Sequence, residues 1–363
     1  MRIAHALLSM LVPALAVAQE PPAVETETFV PISPILRSNP GYPRRALQYG
    51  NEGWVMLSFV VTETGDVEEP MIEDSSGVEE FERAALEAIS RWRYTPATVN
   101  GEPVRQSMMN TRITFALEGG AASGATRGFE SAYRKIRQLL DAGDYAAAEP
   151  LLEEMELGGR HNLYEDALFW ALKYGYFEGV QSTDTAEKLR ALELALGHQA
   201  DDYLPSAIFV AVAQRLYVLQ VQSIDFSAAR STFERLRDSA HAKRSSQHAR
   251  VVAELTPTYE QIEKVIAGPE LLPVKAEIGR YGYWVHDLMR RSFSVASVSG
   301  RLDTVDIRCD RGTRRYGWLP DDSVRQVPET WGECGIYAKG EPGTTFTFVE
   351  HPAGTPGTPL ARD

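Results

Sequence analysis

The chain has 363 residues, room for two or three domains at roughly 100–200 residues each. Hydrophobic residues make up 44% and charged residues 24%, which excludes a wholly disordered or collagen-like chain. Lys+Arg 37 against Asp+Glu 50 gives a formal charge of −13, and no basic block stands ready to neutralise phosphates. Nucleic acid is therefore not an expected partner.

Met1-Arg2 is a short basic start. Ile3 to Ala18 is apolar apart from His5 and Ser9, and closes on Ala16-Val17-Ala18 before Gln19-Glu20. This is the layout of a secretory signal peptide over residues 1–18, and it points to an exported, periplasmic protein. The alternative is an uncleaved inner-membrane anchor facing the periplasm, although the stretch falls short of the ~20 residues a span needs. Residues 19–34 are rich in Pro, Glu and Thr without periodicity and read as a short tether.

Between residues 35 and 118 the pattern is that of a small α+β module. Val55, Leu57, Phe59 and Val61 alternate along a strand, Thr62 to Asp66 supplies a turn, and Val67 to Ile72 returns as a hairpin. Ser76 stands three residues before Glu79, a capping-box spacing. Phe81, Ala85, Ala88, Ile89 and Trp92 then share one helical face, with Pro96 expected to end the helix. Asn100-Gly101 is a turn, and Met109, Thr111, Ile113, Phe115 and Leu117 alternate along a last strand.

Residues 119–127 are a Gly- and Ala-rich linker. Residues 128–268 carry helix formers at 3.6-residue periodicity, with helix starts at Asp144, Asp184 and Asp225. Their even spacing suggests an α-helical, TPR-like repeat unit, against the alternative of an irregular bundle. Residues 269–350 turn to short β-prone runs, and the Pro-containing tail 351–363 is expected to fray. The fold class is thus α+β multidomain: a small α+β module, a helical unit and a small, mostly-β unit.

Cys309 and Cys334 are the two cysteines. In an oxidising compartment a disulfide is the natural reading, with two free thiols as the alternative. The seven histidines are scattered, and no nucleophile elbow, phosphate loop or dinucleotide fingerprint occurs. No enzyme, metal or cofactor is expected. Asp321-Asp322 reads as a turn, and Asp306 and Asp310 as solvated. Trp284, Trp318 and Trp331, with Arg311, Arg314 and Arg315, offer aromatic and guanidinium groups for a glycan or acidic peptide, but core and solvated positions account for them as well.

The first module also carries a motif. Asn39-Pro40-Gly41-Tyr42-Pro43-Arg44-Arg45-Ala46 is followed by Gly50-Asn51-Glu52-Gly53-Trp54-Val55, Phe59-Val60-Val61 and Gly65-Asp66-Val67. Phe81-Glu82-Arg83-Ala84-Ala85-Leu86, Trp92-Arg93-Tyr94-Thr95-Pro96-Ala97, Asn100-Gly101-Glu102-Pro103-Val104 and Arg112-Ile113-Thr114-Phe115 continue it. Over about residues 35–118 the sequence resembles the TonB C-terminal domain family. Tyr42, Pro43, Gly53, Gly65, Phe81, Trp92, Tyr94, Pro96 and Gly101 read as fold determinants, with Gly53 and Gly65 at turns.

The resemblance implies binding at a sheet edge. Family members pair their last strand with an extended segment of outer-membrane receptors, the TonB box, by β-augmentation. The corresponding positions are Met109, Thr111, Arg112, Ile113, Thr114 and Phe115. That edge is either open or covered by the units that follow. The function implied is partner binding in TonB-dependent envelope transport, with a second protein partner on the helical unit and a homodimer through the edge strand as further expectations. A membrane-anchored energy transducer is one alternative. An envelope scaffold or cell-wall-binding protein is another.

Overall fold

Alternation of Val55, Leu57, Phe59 and Val61 makes the central strand of the first unit, and the unit is built around it. The computed structural model describes residues 28–118, 124–158, 162–197, 203–317 and 323–360. The expected signal peptide, most of the tether, Gly119-Gly120, Trp318 and Asp321-Asp322 lie outside the described residues. The first unit runs β1 (Phe29–Val30), β2 (Ser33–Leu36), α1 (Arg44–Tyr49), β3 (Gly53–Val61), β4 (Val67–Ser75) and α2 (Glu79–Ile89). It continues with β5 (Arg93–Thr95), β6 (Ala97–Val99), β7 (Glu102–Val104) and β8 (Gln106–Phe115). The main sheet is antiparallel in the order β4-β3-β8. Its inner face meets α2, where Phe81, Ala85 and Ile89 bury against Val55, Leu57, Phe59, Ile113 and Phe115.

Several expectations change here. From Phe29 on, the presumed tether is sheet: β1 pairs with β6 and β2 with β5, so this end of it is part of the first unit. The capping box does not form. Val78 is the N-cap of α2 without a side-chain bond, because Ser76 Oγ instead accepts from the Trp54 backbone N–H of β3 at 3.1 Å. Helix α2 stops at Ile89, well before Pro96, and the chain turns so that Trp92 can pack on Phe59 and donate to the Ser38 carbonyl. Gly53 is not in a turn. It opens β3, where an added Cβ would lie 2.4 Å from Ser76 Oγ and 2.7 Å from the Phe81 ring.

The helical unit comprises α3 (Arg127–Asp141), α4 (Tyr145–Leu157), α5 (Leu163–Gly179), α6 (Thr185–Gly197), α7 (Ser206–Gln222), α8 (Phe226–Asp238) and α9 (His248–Ala267). Asp144, Asp184 and Asp225 each accept a hydrogen bond from the backbone N–H three residues on, at 3.2, 3.0 and 3.1 Å. They satisfy donors that a helix start leaves open, at α4, α6 and α8. Phe209, Leu216, Tyr217 and Phe233 lie in the core these helices share.

The last unit has β9 (Leu272–Glu277), β10 (Tyr283–Asp287), β11 (Ser292–Ser299), β12 (Leu302–Cys309), β13 (Gly312–Gly317), β14 (Arg325–Gln326), β15 (Cys334–Gly340), β16 (Thr345–His351) and β17 (Thr358–Pro359). Two sheets, β10-β15-β12-β13 and β17-β14-β11-β16-β9, bury Ile307, Ile336 and Ala338 against Phe293, Phe346 and Phe348. Cys309 and Cys334 are register partners on β12 and β15 and form a disulfide. Over residues 351–360 the expected fraying is absent, and residues 361–363 lie outside the described residues. β17 pairs in parallel with β14, and Leu360 is buried in the core.

The units pack on one another. On the outer sheet face Trp54 and Met56 meet Leu163, Trp170 and Leu194 of the helical unit. Arg190 of α6 grips Asp74 of β4 through two hydrogen bonds of 2.7 and 2.6 Å. Arg290 joins the helical and β units, donating to the Val265, Ile266, Gly268 and Glu270 carbonyls at the end of α9.

Candidate functional site

Strand β8 stands at the margin of the main sheet, and its backbone orientation follows from register. The Trp54 backbone faces β4, since its carbonyl accepts from the Ser76 N–H at 3.0 Å. Its partner on β8, Thr114, therefore sits in a non-hydrogen-bonded pair, and alternate β8 residues point away from β3. Asn110 and Thr114 turn N–H and C=O outward, and both are exposed. Among the described residues no strand pairs with this edge.

Its side chains divide by face. Ile113 and Phe115 are buried against α2, and Met109 packs partly there. Thr111 is half-buried, and the Arg112 guanidinium lies 5.1 Å from the Trp54 ring on the outer face. The expected positions thus fall on one strand, and of them Thr114 is the exposed one.

Both ends of the edge are held by the other units, which sequence reading missed. Ser107 is fully buried; its Oγ donates to the Cys309 carbonyl at 2.9 Å and accepts from the Cys309 N–H at 3.1 Å and the Thr313 hydroxyl at 2.7 Å. At the other end Glu52 accepts the Leu117 N–H at 2.7 Å and the Leu163 N–H of α5 at 3.1 Å. Among the described residues the edge is held at its ends, and no strand pairs with it between them.

The outer face carries a charged junction with the β unit. Two register shifts interrupt β4 against β3, leaving Glu73 and the Glu69-Pro70 pair as the extra residues, and Glu69 has φ +48°. Bulges of this kind re-aim side chains. Glu69 receives Arg308 and Arg315, both at 2.7 Å, and Tyr337 donates to Glu73 at 3.1 Å. Burial pushes the Glu73 carboxyl above its ordinary range. Asp306, expected to be solvated, is buried. Burial works to raise its pKa, but Arg315 and Lys339 overcome it and hold the carboxyl below the usual value.

The remaining motif residues make contacts within the first unit. Tyr42 lies edge-on to Phe81 and Phe115 at 5.6 and 5.8 Å and donates to the Asn51 carbonyl. Burial, and then the charge of Glu52, pushes its phenol far up. Pro43 is the N-cap residue of α1, and Tyr94 accepts from Arg37 at 2.9 Å. Gly65, at φ +82°, leaves no room for a side chain: a Cβ would sit 1.9 Å from the Tyr94 carbonyl, with Pro96 beside it. Asn100 and Gly101, at φ +53° and +87°, make the turn between β6 and β7. Of the aromatic and basic residues of the last unit, Trp331 is core and Trp284 packs on Phe346 and Phe348. Arg311 lies over the Phe29 ring and Arg315 is ion-paired, so among the described residues these groups do not assemble one exposed surface.

Residues 38–117 match the family model described as Gram-negative bacterial TonB protein C-terminal. The chain is similar to Protein TonB of Vibrio cholerae, with 38% identity over 80 residues, 22% of this chain and 32% of that protein. It is similar to Protein tonB2 of Pseudomonas aeruginosa, with 35% identity over 78 residues, 22% of this chain and 28% of that protein. The chain therefore spans about a third of the length of the curated relatives it matches. The solution NMR structure of the Pseudomonas aeruginosa TonB CTD aligns at 29% identity with a TM-score of 0.22, covering 24% of this chain and 87% of that one. Residues 38–117, which hold β3, α2 and β8, are a TonB C-terminal domain.

Proposed function

We propose that this chain is an envelope binding protein of the TonB family that takes an extended partner segment onto the outer edge of β8. The partner is the TonB-box-like N-terminal segment of an outer-membrane receptor, and the setting is TonB-dependent transport in the periplasm. The outward N–H and C=O groups of Asn110 and Thr114 carry the reading, because an unpaired edge between covered ends is a template for one added strand. The disulfide suits an oxidising compartment. Among the described residues no helix is long and apolar enough to cross a membrane. A groove of about 640 Å³ beside Phe129, Leu151 and Met155 is where a second partner would meet the helical unit.

Calorimetric titration of the full chain with a receptor N-terminal segment tests this. Thr114→Pro removes an outward N–H while leaving the ladder to β3 in place. It should weaken binding roughly fivefold or more, the worth of about one hydrogen bond. Binding unchanged by Thr114→Pro contradicts the reading, and concentration-dependent self-association lost in Thr114→Pro assigns the edge to a second copy instead.

A further inference from the structure

The open part of the β8 edge has two ends, and each is set by a unit that follows the TonB C-terminal domain in the chain. At the start, Gln106 and Ser107 are buried, and a single hydroxyl is shared with both backbone polar groups of Cys309 and with Thr313. That ties β8 to β12 and β13 at the disulfide residue. At the finish, one Glu52 carboxylate bridges the Leu117 N–H to the Leu163 N–H at the first residue of α5. Between these two fixtures Asn110, Thr114 and Ala116 are exposed.

We infer that the β unit and the helical unit act as end stops that set the length and register of the segment the edge accepts. The inference rests on the β8-edge reading of function. The window runs from Asn110 to Ala116, one residue past the end of β8, about 23 Å of extended chain at ~3.3 Å per residue. A segment that pairs along it makes its last main-chain bonds before Ser107 on one side and before Leu117 on the other. Further residues of the partner meet β12 and β13, tied to β8 through the Ser107 hydroxyl, or the start of α5, where Glu52 already holds the Leu117 N–H. Ser107, Thr313 and Glu52 thus become specificity-determining residues, selecting for a short extended segment by length and alignment. Side-chain pockets then act only within a register already chosen.

The test is a set of synthetic peptides copied from the N-terminal segment of a TonB-dependent receptor, extended stepwise from about five to about eleven residues. Affinity and amide hydrogen exchange are read on the full chain. Affinity should rise until the peptide is about seven residues long and then level off. Every peptide long enough to bind should slow exchange at Asn110 and Thr114 and leave Ser107 and Cys309 unchanged. Ser107→Ala removes all three bonds of the clamp, and in that variant the longest peptides should gain about fivefold. Affinity that keeps climbing in the unaltered chain, or protection that spreads to Ser107 and Cys309, overturns the end stops while leaving the edge reading intact. Peptides that slow no β8 amide at any length overturn the edge reading and this inference with it.

Discussion

Glu69 and Arg308 meet at 2.7 Å across 239 positions of sequence, a bulge residue of the TonB C-terminal domain against a fully buried guanidinium of the β unit. A buried cation needs a carboxylate partner, and Asp306 alone lies farther off, at 3.8 Å. Glu69→Gln should therefore lower unfolding stability by about 2 kcal/mol, with Arg308→Met on that background recovering part of the loss. Chemical denaturation of the three proteins measures it. A loss below about 0.5 kcal/mol would place this contact with ordinary exposed ion pairs.

The same junction makes stability depend on pH in two opposed ways. Glu73 has a raised carboxyl pKa in the fold, owing first to burial, so the native state binds its proton more tightly. Stability should rise as pH falls from neutrality toward the ordinary glutamate value of about 4.3, and Glu73→Gln should remove that rise. Asp306 is depressed, so its contribution is present above about 3.9 and is lost as the pH falls through its lower native value. Urea midpoints across acid pH, compared between the native chain and Glu73→Gln, separate the two. Identical profiles for both proteins would remove Glu73 from the account.

Two glycines with similar φ should respond differently to alanine. Gly65→Ala forces a Cβ to 1.9 Å from a backbone carbonyl, and should cost about 3 kcal/mol or prevent folding. Gly101, at φ +87°, has nothing within 4 Å of an added Cβ, so Gly101→Ala should cost only about 1 kcal/mol of backbone strain. Melting curves of the two variants are the measurement. Equal losses would mean that φ alone, without the clash, sets the cost.

The Cys309–Cys334 bridge joins β12 to β15 over a sequence separation of 25. Replacing both cysteines by alanine should remove about 3 kcal/mol, and the native chain should become less stable on treatment with reductant. Free thiols found by alkylation of the unreduced protein would contradict the bridge.

Much of the first unit was legible because the residues facing its core repeat regularly, although both faces of β3 are buried. Val55 to Val61 alternate with period two, and Phe81, Ala85 and Ile89 repeat with the helical period, so sequence alone places them inward. The TonB motif added the order of the elements. What escaped reading depends on contacts far apart in the chain. Phe29–Val30 looked like tether because a short strand shows little pattern until its partner, Ala97–Val99, is known. Asp306 looked solvated because Arg315 and Lys339 come beside it only across strands. The bulge at Glu69 did leave a trace: Pro70 stands inside a strand, where proline marks an irregular ladder. For the edge, sequence located β8 but not its limits, since Ser107 and Glu52 carry no local sign of the units that engage them.

The central claim is that a partner strand adds to β8 between its two fixtures. Inter-chain nuclear Overhauser contacts, recorded on the full chain with a bound receptor N-terminal peptide, test it most directly. The account predicts backbone contacts from the peptide to Asn110 and Thr114, with the groove beside Phe129 and Met155 undisturbed. Contacts confined to that groove, or to the outer face around Trp54, would contradict it.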